Sequence, residues 1–372
     1  MRAAIVNLVS KGLSGGYVKY LNTLVPLLQN DTRVSALDVF LPRKVAEKVS
    51  IDPLALRVFD AALSGVGVRQ LKSLILATKP DVVFIPSARC VDFGAVPSVI
   101  MVRNMEPLAA PFSGNRLSEC CVNLARRFTA RLACRRASRI IAVSDYVKSF
   151  LVDRWGIDPQ KIAVVYHGVE RPAENCQKVR PGALNGDLGG PLFFTAGSIR
   201  PARGLEDLVR ALAIVNRGTT CHLVIGGVAT ADSAFYQAGI ERLASNLGVS
   251  ANITWAGQLK PAEMSWCYSR CVALVMTSRV EACPNVALEG MAHGCLCISI
   301  DNPPMPEFFR RAAWYYRPED TETLARHMQR ALNAEEEVRC LKQLSLARSQ
   351  DFDWERTARL TVQTMAAAAR HA

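Results

Sequence analysis

Glu281 and Glu289 stand eight positions apart in the run Glu-Ala-Cys-Pro-Asn-Val-Ala-Leu-Glu, residues 281–289. The run reads as a loop that becomes a helix. Pro284 suits a first helical position, because proline has no N–H to lose there, and Gly294, after Ala292 and His293, suits the helix stop. The free N–H groups of such a helix start, with the positive end of its dipole, form a seat for phosphate. Carboxylates beside that seat can accept hydrogen bonds from sugar hydroxyls. The same nine residues would also serve as a surface loop and an amphipathic helix with two solvated acids, so their surroundings must decide.

Two other loops could do related chemistry. Lys11-Gly12-Leu13-Ser14-Gly15-Gly16 follows the first apolar run of the chain. Adjacent glycines let backbone N–H groups approach a ligand closely, yet the spacing matches neither a dinucleotide fingerprint nor a P-loop. Ala196-Gly197-Ser198-Ile199-Arg200-Pro201-Ala202-Arg203-Gly204 places two guanidinium groups ahead of a helix. Arginine pairs with phosphate through two parallel hydrogen bonds.

The elements around these loops alternate. Strands are expected at Ala3–Val9, 37–41, 82–85, 99–102, 139–143 and 162–165. The helical patterns between them include 17–28, 68–77, 117–136 and 146–154. Residues 171–191, rich in Pro and Gly, break the pattern as a linker. The alternation restarts with strands at 192–196, 221–225, 253–255, 272–276 and 296–299, and with helices at 205–215, 234–247, 261–267 and 285–293. Closing helices follow at 321–332, 335–347 and 354–369. Strand–helix alternation of this kind predicts doubly wound parallel sheets, here two α/β domains (1–170 and 192–350) facing each other across a cleft, with 351–372 returning to the first. In such sheets ligands bind beyond the carboxyl ends of the strands, where all three loops fall.

Composition narrows the class. The chain has 372 residues, half of them hydrophobic, enough for two cores. It contains no run of eighteen apolar residues. The N-terminal apolar run is too short for a signal sequence and reads as a strand. The twelve cysteines form no Cys-x-x-Cys pair and no zinc pattern, which predicts buried, reduced thiols in a cytoplasmic protein. Of the net charge of +12, residues 1–172 carry +11, from 24 Lys+Arg against 13 Asp+Glu. A one-sided basic surface implies an anionic partner such as phospholipid, lipid-linked phosphate or nucleic acid.

With these pieces in hand, the chain resembles a retaining glycosyltransferase of GT-B fold, and most closely glycosyltransferase family 4. The resemblance rests on the Gly-Gly loop after the first strand, Ile-Ala-Val-Ser-Asp-Tyr-Val-Lys at 141–148, Val-Tyr-His-Gly-Val at 165–169 and Pro-Ala-Arg-Gly at 201–204. Its most specific part is Glu281 through Gly294, which matches that family's Glu-(seven residues)-Glu signature. The resemblance implies a donor nucleotide sugar (a UDP- or GDP-sugar), a glycan or lipid-linked acceptor held by the first domain, and no cofactor. Glu289 would bind the ribose hydroxyls, and Glu281 the transferred sugar. Arg203, where the family usually has lysine, would neutralise the leaving diphosphate with help from Arg200. Gly15 and Gly16 would close over the phosphates. Gly197 and Ser198 would line the donor, and Pro284, Asn285 and Val286 would mark the helix start facing the diphosphate. Retention would follow a front-face route in which the diphosphate takes the acceptor proton. With no Asp-x-Asp pair at a strand end, arginines would replace a divalent ion.

Two positions depart from the family. Ser198 stands where members often carry arginine, with Arg200 able to compensate from a shifted place. Arg103-Asn104 follows the strand after which members often carry histidine. Asn104 can hydrogen-bond the donor sugar or the acceptor but cannot act as a base. His167 and His293 read as structural.

The helix at 117–136 carries Arg126, Arg127, Arg131, Arg135 and Arg136, beside an apolar stripe of Leu117, Cys121, Leu124, Phe128 and Leu132. It is either an interfacial helix on the anionic inner face of a membrane or an ordinary domain helix with a basic solvent side. Rival functions fare less well. A dinucleotide oxidoreductase needs a Gly-x-Gly-x-x-Gly that neither half supplies. Nucleic-acid binding finds no motif and no interleaved aromatics in the basic helix. A nucleotide-sugar epimerase of the same fold would share the donor residues and differ in needing no acceptor.

Overall fold

The computed structural model describes residues 1–8, 15–59, 66–109, 117–173, 177–184, 186 and 188–370. The chain forms two compact units. The first comprises Met1–Leu108, Leu117–Gly168 and Asp353–Ala372; the second is built chiefly from Val169–Phe352. Residues 11–14 of the glycine loop lie outside the described residues.

The first unit holds a seven-stranded sheet. In chain order its strands are β1 (Arg2–Val6), β2 (Ala36–Pro42), β3 (Leu56–Phe59), β4 (Val82–Ile85), β5 (Ser98–Val102), β6 (Arg139–Ala142) and β7 (Ile162–Val164). Every pairing is parallel, in the order β3-β2-β1-β4-β5-β6-β7. β4 and β5 are buried at every residue, as expected of strands covered on both faces. The order reverses between β1 and β4, which opens a crevice beyond their carboxyl ends.

The second unit repeats the plan. Its strands are β8 (Leu192–Ala196), β9 (His222–Gly226), β10 (Ile253–Gly257), β11 (Ala273–Met276), β12 (Cys297–Ile300) and β13 (Ala313–Tyr316), in the parallel order β10-β9-β8-β11-β12-β13. Here the switch point lies between β8 and β11, so the loops at 197–204 and 277–284 leave the sheet side by side. Two strands, β3 and β13, have no counterpart among the sequence expectations. Both are four-residue edge strands, too short and too exposed on one flank to stand out as apolar runs.

The helix Trp354–Ala369 belongs to the first unit and packs against the helix Gly15–Gln29 and strands β4 to β6. Its buried side is small, with Thr357, Ala358, Thr361, Thr364 and Ala368 around Val362 and Met365. Asp353 caps it, its carboxylate accepting from the backbone N–H groups of Glu355 and Arg356. Much of the expected linker folds with the second unit: Val179 donates its N–H to the Ala262 carbonyl at 3.1 Å, and Leu184 is buried.

The apolar stripe of the helix Leu117–Arg136 is not its buried side. Its inner face is Ala130, Ala133 and Cys134, continued by Ala137 beyond its end, whereas Val122, Leu124, Phe128 and Leu132 are exposed, Phe128 at 71%. The expectation for the cysteines is corrected in part. Six of the eleven described are buried, but Cys121 and Cys340 are exposed, being on outward helix faces, and Cys90, Cys120 and Cys283 are half-buried.

Candidate active site

The second unit's switch point gathers residues from three separate stretches. After β8 the chain makes a one-turn helix, Pro201–Arg203, ended by Gly204 in the left-handed region at φ 60°. This turn is fastened to the segment after β11. Thr277 Oγ1 donates to the Arg203 carbonyl at 2.6 Å, and the Arg279 N–H donates to the Ala202 carbonyl at 2.8 Å. Arg279 is itself held by Asn302, whose amide donates to its carbonyl, and by the fully buried Asp207, 3.5 Å from its guanidinium. Burial pushes the Asp207 carboxyl up, opposed by the Glu319 N–H and by Arg279.

That scaffold aims Arg203. Its Nη1 donates to Ser278 Oγ at 2.8 Å and to Glu281 Oε1 at 2.5 Å. The two charged side chains are 17% and 16% exposed, so they are shielded from bulk water yet reachable. Arg203 Nε is buried without a hydrogen-bond partner among the described residues. The guanidinium lies against bare backbone: a Cβ on Gly197 (φ 140°) would stand 2.6 Å from Arg203 Cζ. Only glycine allows this approach. Arg200 precedes the same turn and is half-buried, and Ser198 is exposed on the loop.

The helix Asn285–Ala292 supplies the rest. Pro284 is its N-cap residue, one place before the first helical position that the sequence suggested for it. Its φ of −81° and ψ of 85° lie outside the helical range, and its carbonyl accepts from Ala287 and Leu288. Pro284 itself makes no side-chain capping hydrogen bond, and the first backbone N–H groups of a helix have no acceptor within it. His293 ends the helix and Gly294 follows at φ 67°. Glu289, on the second turn, accepts a 3.0 Å hydrogen bond from the Tyr268 hydroxyl. Tyr268 is buried against Phe194 and His293, and burial together with Glu289 pushes its hydroxyl far above its ordinary value, so it stays a donor. The His293 ring contacts the Glu289 carbonyl at 2.8 Å and Ser265 Oγ at 3.2 Å, a structural role. A Cβ at Gly290 would lie 2.2 Å from Leu274 Cδ2, which shows how closely this helix sits on β11.

The remaining residues singled out from the sequence lie in the first unit. Gly15 and Gly16 open the helix Gly15–Gln29 in the first unit. Asn104 is exposed, and its side-chain oxygen accepts the Glu106 N–H at 3.0 Å, a local turn that caps the short helix Glu106–Ala109. His167 is buried among Tyr20 and Trp354. Sequence reading passed over Thr277, Ser278, Tyr268 and Arg279. Thr277 and Ser278 directly follow the strand that leads into the signature, and that position alone could have marked them.

Known proteins share this plan. The family profile of glycosyl transferases group 1 matches residues 181–344, and that of Glycosyltransferase Family 4 matches residues 31–171. The group 1 match thus falls within the second unit, and the family 4 match chiefly within the first. A D-inositol 3-phosphate glycosyltransferase of Streptomyces scabiei is 27% identical over 247 residues, covering 63% of this chain and 55% of that protein. An O-antigen chain mannosyltransferase of Salmonella typhimurium is 21% identical over 194 residues, 52% of this chain and 51% of that protein. The chain thus spans about half the length of the curated relatives it matches. In fold, Anabaena HepE, solved in complex with UDP, superposes at a TM-score of 0.74 with 17% identity, covering 99% of this chain and 100% of that one. The fold is therefore GT-B. Its second unit, within the group 1 match, carries Arg203, Glu281 and Glu289 at one sheet edge.

Proposed function

We propose that this protein transfers a hexose from a UDP- or GDP-sugar to a glycan or lipid-linked acceptor, with retention of configuration and without a metal ion. The observation that carries this reading is the pairing of Arg203 with Glu281, three residues ahead of the N-cap of the helix Asn285–Ala292, at the β8/β11 switch point. Breaking the glycosyl–phosphate bond puts negative charge on the diphosphate. Cations and backbone N–H groups already in position stabilise that charge as it grows, and removing one such donor costs a factor of roughly 10²–10³ in turnover. Arg203, with Arg200 near it, and the N–H groups at Asn285 and Val286 are suited to this role. Glu289, oriented by Tyr268, would take the ribose hydroxyls, and Glu281 the hydroxyls of the transferred sugar. Among the described residues no group of three or more His, Cys, Asp or Glu is arranged to hold a metal ion. The diphosphate itself would accept the proton of the incoming hydroxyl. The name of one relative, an O-antigen chain mannosyltransferase, supports an acceptor in surface polysaccharide assembly.

The same reading places the protein at an anionic membrane surface, on its cytoplasmic side. No helix among the described residues is long and apolar enough to cross a membrane. The outward face of Leu117–Arg136 instead offers Leu124, Phe128 and Leu132 one turn apart, interleaved with exposed Arg127, Arg131 and Arg135. Apolar side chains with flanking cations suit the boundary between acyl chains and anionic headgroups.

Thermal-shift titration with UDP, GDP and their sugars tests the donor assignment. The cognate diphosphate, at a hundredfold its dissociation constant, should stabilise the protein by about 2.7 kcal/mol. Arg203→Ala and Glu289→Ala should remove that shift while each remains folded. An undiminished shift in both variants overturns the assignment.

A further inference from the structure

Two helices of the second unit end on thiols that meet. The helix Pro261–Arg270, which carries Tyr268, ends at Cys271. The helix Asn285–Ala292, which carries Glu289, leads through His293 and Gly294 to Cys295. Both thiols donate to one acceptor, the Tyr268 carbonyl, Cys271 Sγ at 3.5 Å and Cys295 Sγ at 3.2 Å. That carbonyl belongs to the last turn of its helix, where backbone acceptors lack intrahelical donors. The Val272 N–H, one turn further on, donates instead to the Leu192 carbonyl at 2.7 Å. The two sulfurs are themselves within hydrogen-bond reach of each other.

This pair stands apart from the other thiols nearby. Cys267 and Cys297 are fully buried, and burial pushes each of them up to about 12. Cys297 is further engaged with the Cys295 carbonyl at 3.6 Å and with Ser345 Oγ at 3.9 Å. Cys271 keeps 7% exposure beside the exposed Ser269 and Arg270, whereas Cys295 keeps 3%. A small oxidant therefore meets Cys271 first, with Cys295 behind it. The contact with Cys271, and then burial, hold the Cys295 thiol well above its ordinary value, and Lys342 opposes them. In a reducing compartment the two rest as thiols, and a disulfide there is a transient, responsive bond.

We propose that Cys271 and Cys295 form a peroxide-sensitive thiol pair whose closure to a disulfide weakens the donor site. The Cys271 thiolate attacks one oxygen of hydrogen peroxide, which gives a sulfenic acid and, with the proton released, one water. Cys295 then gives up its proton and attacks the Cys271 sulfur. The S–S bond forms, the S–O bond breaks and a second water leaves. The pair loses two electrons, and peroxide gains them. The bond, about 2.05 Å long, draws the ends of the two helices together and takes both S–H donors from the Tyr268 carbonyl. Tyr268 and Glu289, joined by their 3.0 Å hydrogen bond, stand on those same two helices, so closure shifts one against the other. The consequence for the nucleotide rests on the donor reading above; the disulfide itself does not.

The test titrates the reduced full chain with hydrogen peroxide. Tryptic mapping without reductant should find residues 271–279 joined to residues 280–310, with the loss of two hydrogens. Oxidised wild type should bind the cognate nucleoside diphosphate at least fivefold more weakly by calorimetry, and dithiothreitol should restore the affinity. Cys295→Ser, whose hydroxyl can still donate to the Tyr268 carbonyl, should lose the link. It should bind nucleotide like reduced wild type, before and after peroxide. Cys271→Ser carries the same arm if that variant does not fold. Absence of the link overturns the proposal, as does a link that persists in Cys295→Ser through Cys283 or Cys297. So does a Cys271–Cys295 disulfide that leaves nucleotide affinity unchanged. If no nucleoside diphosphate binds reduced wild type, the donor reading fails, and the peptide map still decides whether the thiols pair.

Discussion

Arg203 Nη1 lies 2.5 Å from Glu281 Oε1, a pairing between residues 78 positions apart. The cation assigned to the diphosphate thus pairs with the carboxylate assigned to the sugar. Ser278 shares the same guanidinium nitrogen.

Glu281→Gln should split binding from turnover. Loss of the carboxylate frees Arg203 for phosphate, so the nucleoside diphosphate should bind about threefold to tenfold tighter, within the range of a shielded charge pair. Turnover should fall by about 10² or more, because the contact to the transferred sugar is lost. Calorimetry with the diphosphate, alongside steady-state kinetics, measures both. Equal weakening of the two would show that the pair acts as one structural unit.

Tyr268 orients Glu289 from a fully buried position. Tyr268→Phe keeps the ring packing on Phe194 and His293 and removes one hydrogen bond to a charged group, worth about 1.5–3 kcal/mol. KM for the nucleotide sugar should rise roughly tenfold with little change in kcat, since the ribose contact is made in ground and transition states alike. A drop confined to kcat would place Glu289 at the reacting centre instead.

The outward stripe of Leu117–Arg136 gives a prediction for membranes. Leu124→Ser with Phe128→Ser should weaken binding to phosphatidylglycerol-containing vesicles at least tenfold, since burying each such side chain is worth about 1.5–3 kcal/mol. Arg127→Ala with Arg131→Ala should weaken it further and flatten its salt dependence, at about 1 kcal/mol per cation. Vesicle co-sedimentation reads both, with nucleotide binding as the control. Equal binding of wild type to neutral and anionic vesicles would remove the electrostatic part of the argument.

Acid should destabilise the second unit before its carboxylates titrate. Burial lowers the basicity of His222, whose Nε2 contacts Thr254 Oγ1 at 2.8 Å, and of His327, which contacts the Tyr315 carbonyl. A histidine depressed in the folded state contributes stability above its unfolded value, near 6.5, and loses it as pH falls through the folded value. The urea midpoint should therefore fall from about pH 6.5 toward pH 5, and His222→Asn should reduce that slope. Asp207, raised by burial, acts in the opposite sense nearer pH 4, where protonation relieves its desolvation. A midpoint that is flat between pH 7 and pH 5 would contradict this account.

Much of this protein was legible in the chain itself. Short apolar runs alternating with helical patterns indicated two α/β units, and the segments at 197–204 and 281–289 carried the resemblance from which the donor residues are proposed, because strand-end loops carry their chemistry in contiguous residues. The edge strands β3 and β13 escaped, because four residues on a sheet margin carry little pattern. Pro284 fell one place outside the helix, because the difference between a cap and a first helical residue is a ψ angle rather than a residue type.

What only the tertiary structure decided concerns partners and sides. Periodicity places Leu124, Phe128 and Leu132 on one face, but the opposite face of alanines and Cys134 was free to pack as well, and it did, because small residues let the helix lie close. Arg203 and Glu281 are far apart in sequence, and their pairing follows from the neighbouring positions of β8 and β11 in the sheet. Cys271 and Cys295 read in the sequence as two of twelve scattered thiols. Their meeting on the Tyr268 carbonyl comes from where the helices Pro261–Arg270 and Asn285–Ala292 end, and a side chain's surroundings are a property of three-dimensional space that no run of residues contains.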